Sequence, residues 1–180
     1  TTTRTGSRVL LRSGWMRSKS CASNISHYVR MLNKDFKEFA ALLNSTGVEY
    51  LIVGGYALAA HGHPRYTGDL DIWLRRDDHN IAKLLDVLGK FGFGSLGLVA
   101  EDFLKPGAVI QLGYPPARID LLTDIDGVEF DACHAKRATV SWDGIELPFI
   151  GLEEFRINKR AAGRDKDLAD LASLAARRDS

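Results

Sequence analysis

The stretch Asp69-Leu-Asp-Ile-Trp-Leu74 constrains this chain more tightly than any other. Acidic and apolar residues alternate at its start, the period-2 signature of a strand with one face in a core. Residues i and i+2 of a strand share a face, about 6–7 Å apart along the backbone. Asp69 and Asp71 therefore lie together, while Leu70 and Ile72 point into the interior. The segment ahead is patterned too. Residues 50–53, Tyr-Leu-Ile-Val, form a short apolar run that reads as a buried strand. Gly54-Gly55 makes the turn after it. Residues 56–61 are alanine-rich and read as a short helix, which His63-Pro64 breaks.

The alternation of strands and helices continues on both sides. Asn33 caps a helix with Asp35 in its first turn, Phe36, Phe39, Ala40 and Leu43 on one face, and Gly47 at its end. Asp77 or Asp78 caps another, with Ile81, Leu84, Leu85 and Leu88 inward and Gly92 and Gly94 terminating it. Residues 108–112 and 118–122 read as strands joined by a turn at Gly113-Tyr-Pro-Pro116. Residues 129–136 suit a short helix. Asp143-Gly144 between residues 139–142 and 145–149 is a strong hairpin signal. Residues 152–162 and 166–177 read as two helices separated by Gly163. The expected class is α/β: one mixed sheet with flanking helices and C-terminal helices from about residue 151.

The 180 residues suit a single domain, and a hydrophobic content of 45% suffices for its core. Residues 31–180 carry all the patterned segments and are assigned to that domain. Residues 1–30 differ from them. They hold Arg4, Arg8, Arg12, Arg17, Lys19 and Arg30, no acidic residue, and no helix or strand period. Such a basic leader is compatible with a transit peptide or a nucleic-acid arm. The preferred reading is non-native or disordered sequence ahead of a start at Met31, since the motifs begin immediately after it. A net charge of +1 exerts no global pull on nucleic acid or membrane. No apolar run approaches the roughly 18–20 residues that span a bilayer. Cys21 and Cys133 make no disulfide framework, which points to a reducing, cytoplasmic setting.

Two carboxylates converging from one strand face suit one or two hard cations. Magnesium prefers carboxylate oxygens together with substrate phosphates. Two such ions, roughly 3.5–4 Å apart, can hold the attacking and leaving oxygens of a phosphoryl displacement. An acidic-apolar-acidic triplet also arises on ordinary exposed strands. Asp120, inside Arg118-Ile-Asp-Leu-Leu122, is an acid in an apolar strand and is costly there unless exposed or paired. It either completes a metal site and serves as general base or faces water at a strand end. Gly54 and Gly55 allow a phosphate to approach the backbone closely, or simply make a turn. Arg65 and Thr67 precede the acidic pair, and Lys159 and Lys166 lie on the last helices. Cations there either stabilise a leaving pyrophosphate or belong to a solvated face with Glu153, Glu154, Asp165 and Asp167. Arg160 reads as solvated.

The order of these elements resembles the nucleotidyltransferase signature of the DNA polymerase beta superfamily. That signature is an apolar residue, Gly, Gly or Ser, a spacer, then Asp-apolar-Asp-apolar. It stands here as Val53-Gly54-Gly55, a spacer, and Asp69-Leu70-Asp71-Ile72. The stretch from Gly54 through Arg65-Tyr-Thr67 to Asp71 is similar to small stand-alone members, the abortive-infection-type toxins and the lincosamide-modifying enzymes. The tail, from Leu152-Glu-Glu-Phe155 through Lys159 to Gly163-Arg-Asp-Lys-Asp167 and Asp170-Leu, resembles the toxin-like group. The resemblance covers about residue 31 to residue 174. It implies a polymerase beta-like nucleotidyltransferase fold with Asp69, Asp71 and Asp120 as the metal-binding carboxylates. It also implies that Gly54 and Gly55 hold the triphosphate. Members move a nucleoside monophosphate from a nucleoside triphosphate to a hydroxyl of an antibiotic, a protein side chain or a transfer RNA. Many carry Ser where Gly55 stands, so this chain offers only an N–H there.

Other candidates have weaker patterns. His61 and His63 have no third ligand beside them and read as loop residues. Cys133 and His134 are adjacent on a helix and point apart. Trp73, Trp142 and the phenylalanines read as core. The expectation is thus an enzyme using a nucleoside triphosphate and two magnesium ions. A toxin–antitoxin or resistance context, and with it a cognate partner, accords with the resemblance. The alternative is a catalytically silent nucleotide- or protein-binding module.

Overall fold

The computed structural model describes residues 7–10 and 33–176. Its strands form one seven-stranded mixed sheet: β1 (Ser7–Leu10), β2 (Tyr50–Ile52), β3 (Asp69–Leu74), β4 (Val109–Leu112), β5 (Arg118–Leu122), β6 (Ala138–Trp142) and β7 (Ile145–Phe149). The α-helices are α1 (Lys34–Thr46), α2 (Gly54–Ala60), α3 (Asp78–Leu88), α4 (Ala100–Leu104), α5 (Phe130–Ala135), α6 (Leu152–Ala162) and α7 (Asp165–Ala176). The strand order is β1-β4-β5-β3-β2-β7-β6. Parallel pairs β1·β4, β3·β5 and β2·β7 alternate with antiparallel pairs β4·β5, β2·β3 and β6·β7.

The central strands are those whose sequences are most apolar. All three residues of β2 are buried, as befits a strand covered on both faces. Helices α1 and α3 turn Phe36, Phe39, Leu43, Ile81, Leu84 and Val87 into the core. Trp73 and Trp142 are buried there as expected. Asn33 accepts from the Asp35 N–H, and Gly47 closes α1 in the left-handed conformation.

Several boundaries differ from the sequence expectation. Gly54 and Gly55 lie in the first turn of α2 rather than ahead of it. Beyond Leu88 the chain continues through a π-helical turn (Gly89–Phe93) and a 3-10 turn (Gly94–Leu96), and Gly92 breaks the helical path at φ 96. Helix α4 has too few residues to show a period. Within the basic leader, Ser7–Leu10 runs parallel to β4 as an edge strand, although that stretch has no strand period. The rest of the leader, Cys21 and Met31 lie outside the described residues. No helix among the described residues is long and apolar enough to cross a membrane.

Asn80 locks α3 to the paired ends of β2 and β3. It is buried, donates to the carbonyls of Glu49 and Arg75 at 2.9 Å each, and accepts from the Glu49 N–H at 2.7 Å. Asn80→Ala deprives the Glu49 N–H and the Arg75 carbonyl of this partner, while the Glu49 carbonyl keeps the Arg75 N–H, and is expected to lower stability by about 3 kcal/mol. Chemical denaturation checks this through a lower midpoint at unchanged slope. A loss below about 1 kcal/mol would show that the lock is dispensable.

Candidate active site

The acidic cluster is a product of strand register. Strands β3 and β5 are parallel neighbours, with Asp69 abreast of Arg118 and Asp71 abreast of Asp120. Alternation sends Leu70, Ile72, Ile119 and Leu121 to the opposite, buried side. Ligand atoms of Asp69, Asp71 and Asp120 consequently all lie within 4.8 Å of one another. Strand β4 adds Gln111, which the antiparallel register sets abreast of Asp120.

The glycines give this cluster its room. A Cβ on Gly54, whose φ is +64, would sit 2.0 Å from Asp71 Oδ2. A Cβ on Gly55 would sit 2.8 Å from Thr67 Cβ and 2.9 Å from its hydroxyl oxygen. Position 54 must lack a side chain because Asp71 occupies its place, and Thr67 occupies the place of one at position 55. Thr67 in turn donates its hydroxyl to Asp69 Oδ1 at 2.7 Å.

Three negative groups this close are costly in part-buried surroundings. Burial, reinforced by the charges of Asp69 and Asp120, pushes the Asp71 carboxyl up to about 7. Burial also raises the Asp120 carboxyl, against the lowering effect of its hydrogen bonds from Arg118 and Gln111. The nearest counter-charge is Arg118. Its Nη2 reaches Asp69 Oδ2 at 2.7 Å, and its Nε reaches Asp120 Oδ1 at 2.7 Å.

All nine residues singled out in the sequence line one cleft of about 210 Å³: Gly54, Gly55, Arg65, Thr67, Asp69, Asp71, Asp120, Lys159 and Lys166. The structure distinguishes among the cations. Lys159 is not on a solvated face: it is buried, 2.7 Å from Asp167 and 3.1 Å from Asp170. Arg65 pairs with Asp170 at 2.7 Å, and Arg164 with Asp167 at 2.5 Å. These five side chains form a network joining α6, α7 and the loop before β3. Lys166 is exposed at the cleft, and its charge acts to lower the Asp71 pKa. Asp167, which the sequence presents only as a surface partner, is fully buried, and Asp170 nearly so.

Sequence reasoning gave no role to Arg118, Gln111 or Asn158, which also line the cleft. The spacing of Arg118 and Asp120 on one strand face was an available signal. Gln111 depends on register and had none. His61 is not a loop residue but closes α2, its Nε2 bonded to the Ile150 carbonyl at 2.8 Å. Cys133 is buried, and burial pushes its thiol up to about 11, which disfavours the reactive thiolate.

The donor set fits a hard divalent cation. It consists of carboxylate oxygens, converging from two strands, with an excess of negative charge that burial makes unfavourable unless a cation is present. A carboxyl whose folded pKa lies above its unfolded value binds more protons when folded. Its contribution is therefore lost as pH rises from about 4 through about 7. In a chelator, the stability of the parent relative to Asp71→Asn is expected to fall across that window, since the lowered pKa values of His61 and His134 act alike in both. At about pH 8 Asp71→Asn is expected to be the more stable, by on the order of 2 kcal/mol. Denaturation at a series of pH values tests this, and equal pH slopes would contradict it.

No protein-family model matches the chain, and no curated protein does. Among solved structures it is similar to a proposed nucleotidyltransferase from Thermotoga maritima, with a TM-score of 0.54 and 14% identity over 84% of this chain and 99% of that one. An antigenic nucleotidyltransferase-like protein from Paracoccidioides brasiliensis is similar with a TM-score of 0.49 and 20% identity, over 78% of this chain and 73% of that one. At such identities the likeness is one of fold: this chain has a mixed-sheet α/β, nucleotidyltransferase-like fold.

Proposed function

We propose that this protein transfers a nucleoside monophosphate from a nucleoside triphosphate to an acceptor hydroxyl, releasing pyrophosphate, with magnesium held by Asp69, Asp71 and Asp120. The observation that carries this reading is the convergence of three carboxylates within 4.8 Å in a cleft also lined by Lys166 and Arg164. Such a cleft offers one wall to cations and another to phosphates.

Asp69, Asp71 and Asp120 would hold two magnesium ions, which would supply positive charge at the transferring phosphorus and its leaving group. Asp120 takes the proton of the acceptor hydroxyl. The acceptor oxygen bonds to the α-phosphorus, the bond from that phosphorus to the α,β-bridging oxygen breaks, and pyrophosphate leaves with the electron pair. Lys166 faces the phosphates, while Lys159 and Arg65 fix the cleft wall through Asp170. Gly54 and Gly55, in the first turn of α2 and lining the same cleft, offer their backbone N–H groups to the triphosphate. Rate enhancement in such a site comes from positioning and charge neutralisation. The acceptor is a transfer RNA, a protein side chain or a small molecule such as an antibiotic, in a toxin–antitoxin or resistance setting.

One observation favours a second reading. Arg118 already bridges Asp69 and Asp120 and offsets part of their charge without metal, which suits a silent nucleotide- or protein-binding module. Pyrophosphate release separates the two. With magnesium, each of the four ribonucleoside triphosphates and total transfer RNA, the parent is expected to release pyrophosphate. Asp69→Asn and Asp71→Asn are expected to lower the rate at least about 100-fold while remaining folded. Release at the parent rate by either variant contradicts the assignment. Stabilisation by nucleotide without release from any acceptor class supports the silent module.

A further inference from the structure

Arg118 stands two residues before Asp120 on β5 and abreast of Asp69 on β3. Its guanidinium makes three hydrogen bonds: Nη2 to Asp69 Oδ2 at 2.7 Å, Nη2 to Asp120 Oδ2 at 3.1 Å, and Nε to Asp120 Oδ1 at 2.7 Å. Thr67 donates to Asp69 Oδ1 at 2.7 Å, and Gln111 Nε2 to Asp120 Oδ2 at 3.3 Å. Every carboxylate oxygen of these two acids is thus already accepting. Arg118 Nη2 lies between Asp69 Oδ2 and Asp120 Oδ2, in the space a cation bridging these two acids would occupy, so the cation and the like-charged guanidinium exclude one another there.

We propose that Arg118 is the resident counter-ion of the carboxylate cluster, exchanged for divalent metal when a triphosphate is present to receive its guanidinium. The inference rests on the nucleotide-binding reading of the cleft. Metal alone must break three charge-assisted hydrogen bonds and leave a guanidinium without a partner, which opposes metal loading in the free protein. Metal arriving with a triphosphate brings anionic oxygens for which the planar guanidinium fork is a good match. Arg118 lines the cleft and its side chain is 26% exposed, so it has a route from the carboxylates to a phosphate in the same space. Metal and triphosphate binding are then coupled through one side chain.

Loss of the guanidinium is expected to move the affinities for the two ligands in opposite directions. In Arg118→Gln, manganese(II) titrated alone, followed by the electron paramagnetic resonance of the free ion, is expected to bind at least about tenfold tighter than in the parent. Inorganic tripolyphosphate, titrated calorimetrically at saturating manganese(II), is expected to bind at least about tenfold weaker. Arg118→Lys keeps the charge without the fork and is expected to fall between them in both measurements. It also serves if the glutamine variant does not fold. A purely structural arginine would move neither affinity, or weaken both. Manganese(II) binding no tighter in the folded variants than in the parent overturns the proposal and leaves the nucleotidyltransferase reading standing. Absence of manganese(II) binding in the parent and all variants, with tripolyphosphate as well as alone, overturns both.

Discussion

The parallel pairing of β3 with β5 is the constraint on which the site depends. A register that sets Asp71 abreast of Asp120 also sets Asp69 abreast of Arg118. One pairing thereby concentrates three acids and supplies a cation to restrain them. A shift of one residue in either strand would turn its charged positions into the core and its apolar positions outward. The deeply buried Leu70, Ile72, Ile119 and Leu121 oppose any such slip. The hydrophobic pattern thus fixes the electrostatics, and the unfavourable charge density is tolerated because the opposite face is so well packed.

The second support is the charged network at the C-terminal helices. Lys159, Asp167 and Asp170 are buried, and Arg65 and Arg164 reach in from its rim. Burying ions is costly unless each has close partners, and here each carboxylate accepts from two cations. Lys159 also sits 5.2 Å from the centre of the Phe155 ring. The network ties α6 and α7 to the loop that delivers Thr67 and Asp69. The wall of the cleft and its floor are therefore one mechanical unit, and Lys166 is left at the cleft.

Most of the fold was legible because its segments are short and strongly patterned. Asp69–Leu74 alternates, Tyr50–Ile52 is a bare apolar run, and Asp143-Gly144 marks the hairpin between β6 and β7. The three acids were legible as candidates from type and spacing. Their convergence was not, because it needs the β3–β5 register. Arg118 was overlooked because a cation beside an acid on one strand reads as an ordinary surface pair. Its meaning appears only when the neighbouring strand places Asp69 beside it. Lys159 was ambiguous for the converse reason: helical spacing cannot show that Asp167 and Asp170 are buried beneath it. The glycine at position 55, where many proteins of similar pattern carry serine, also has a tertiary cause. Thr67 fills that space and places a hydroxyl 2.9 Å from where a Cβ would stand.

In the proposed function Asp69, Asp71 and Asp120 together hold divalent metal against a triphosphate. The most direct test is anomalous diffraction at the manganese edge, from crystals grown with manganese(II) and a non-hydrolysable nucleoside triphosphate. One or two peaks are expected, with oxygen atoms of all three carboxylates at coordination distance, about 2.1 Å, and phosphate oxygens completing the shell. The guanidinium of Arg118 is also expected to have left the carboxylates. Triphosphate density elsewhere, or a cleft in which Arg118 still bridges Asp69 and Asp120 with no anomalous peak beside them, would contradict that function.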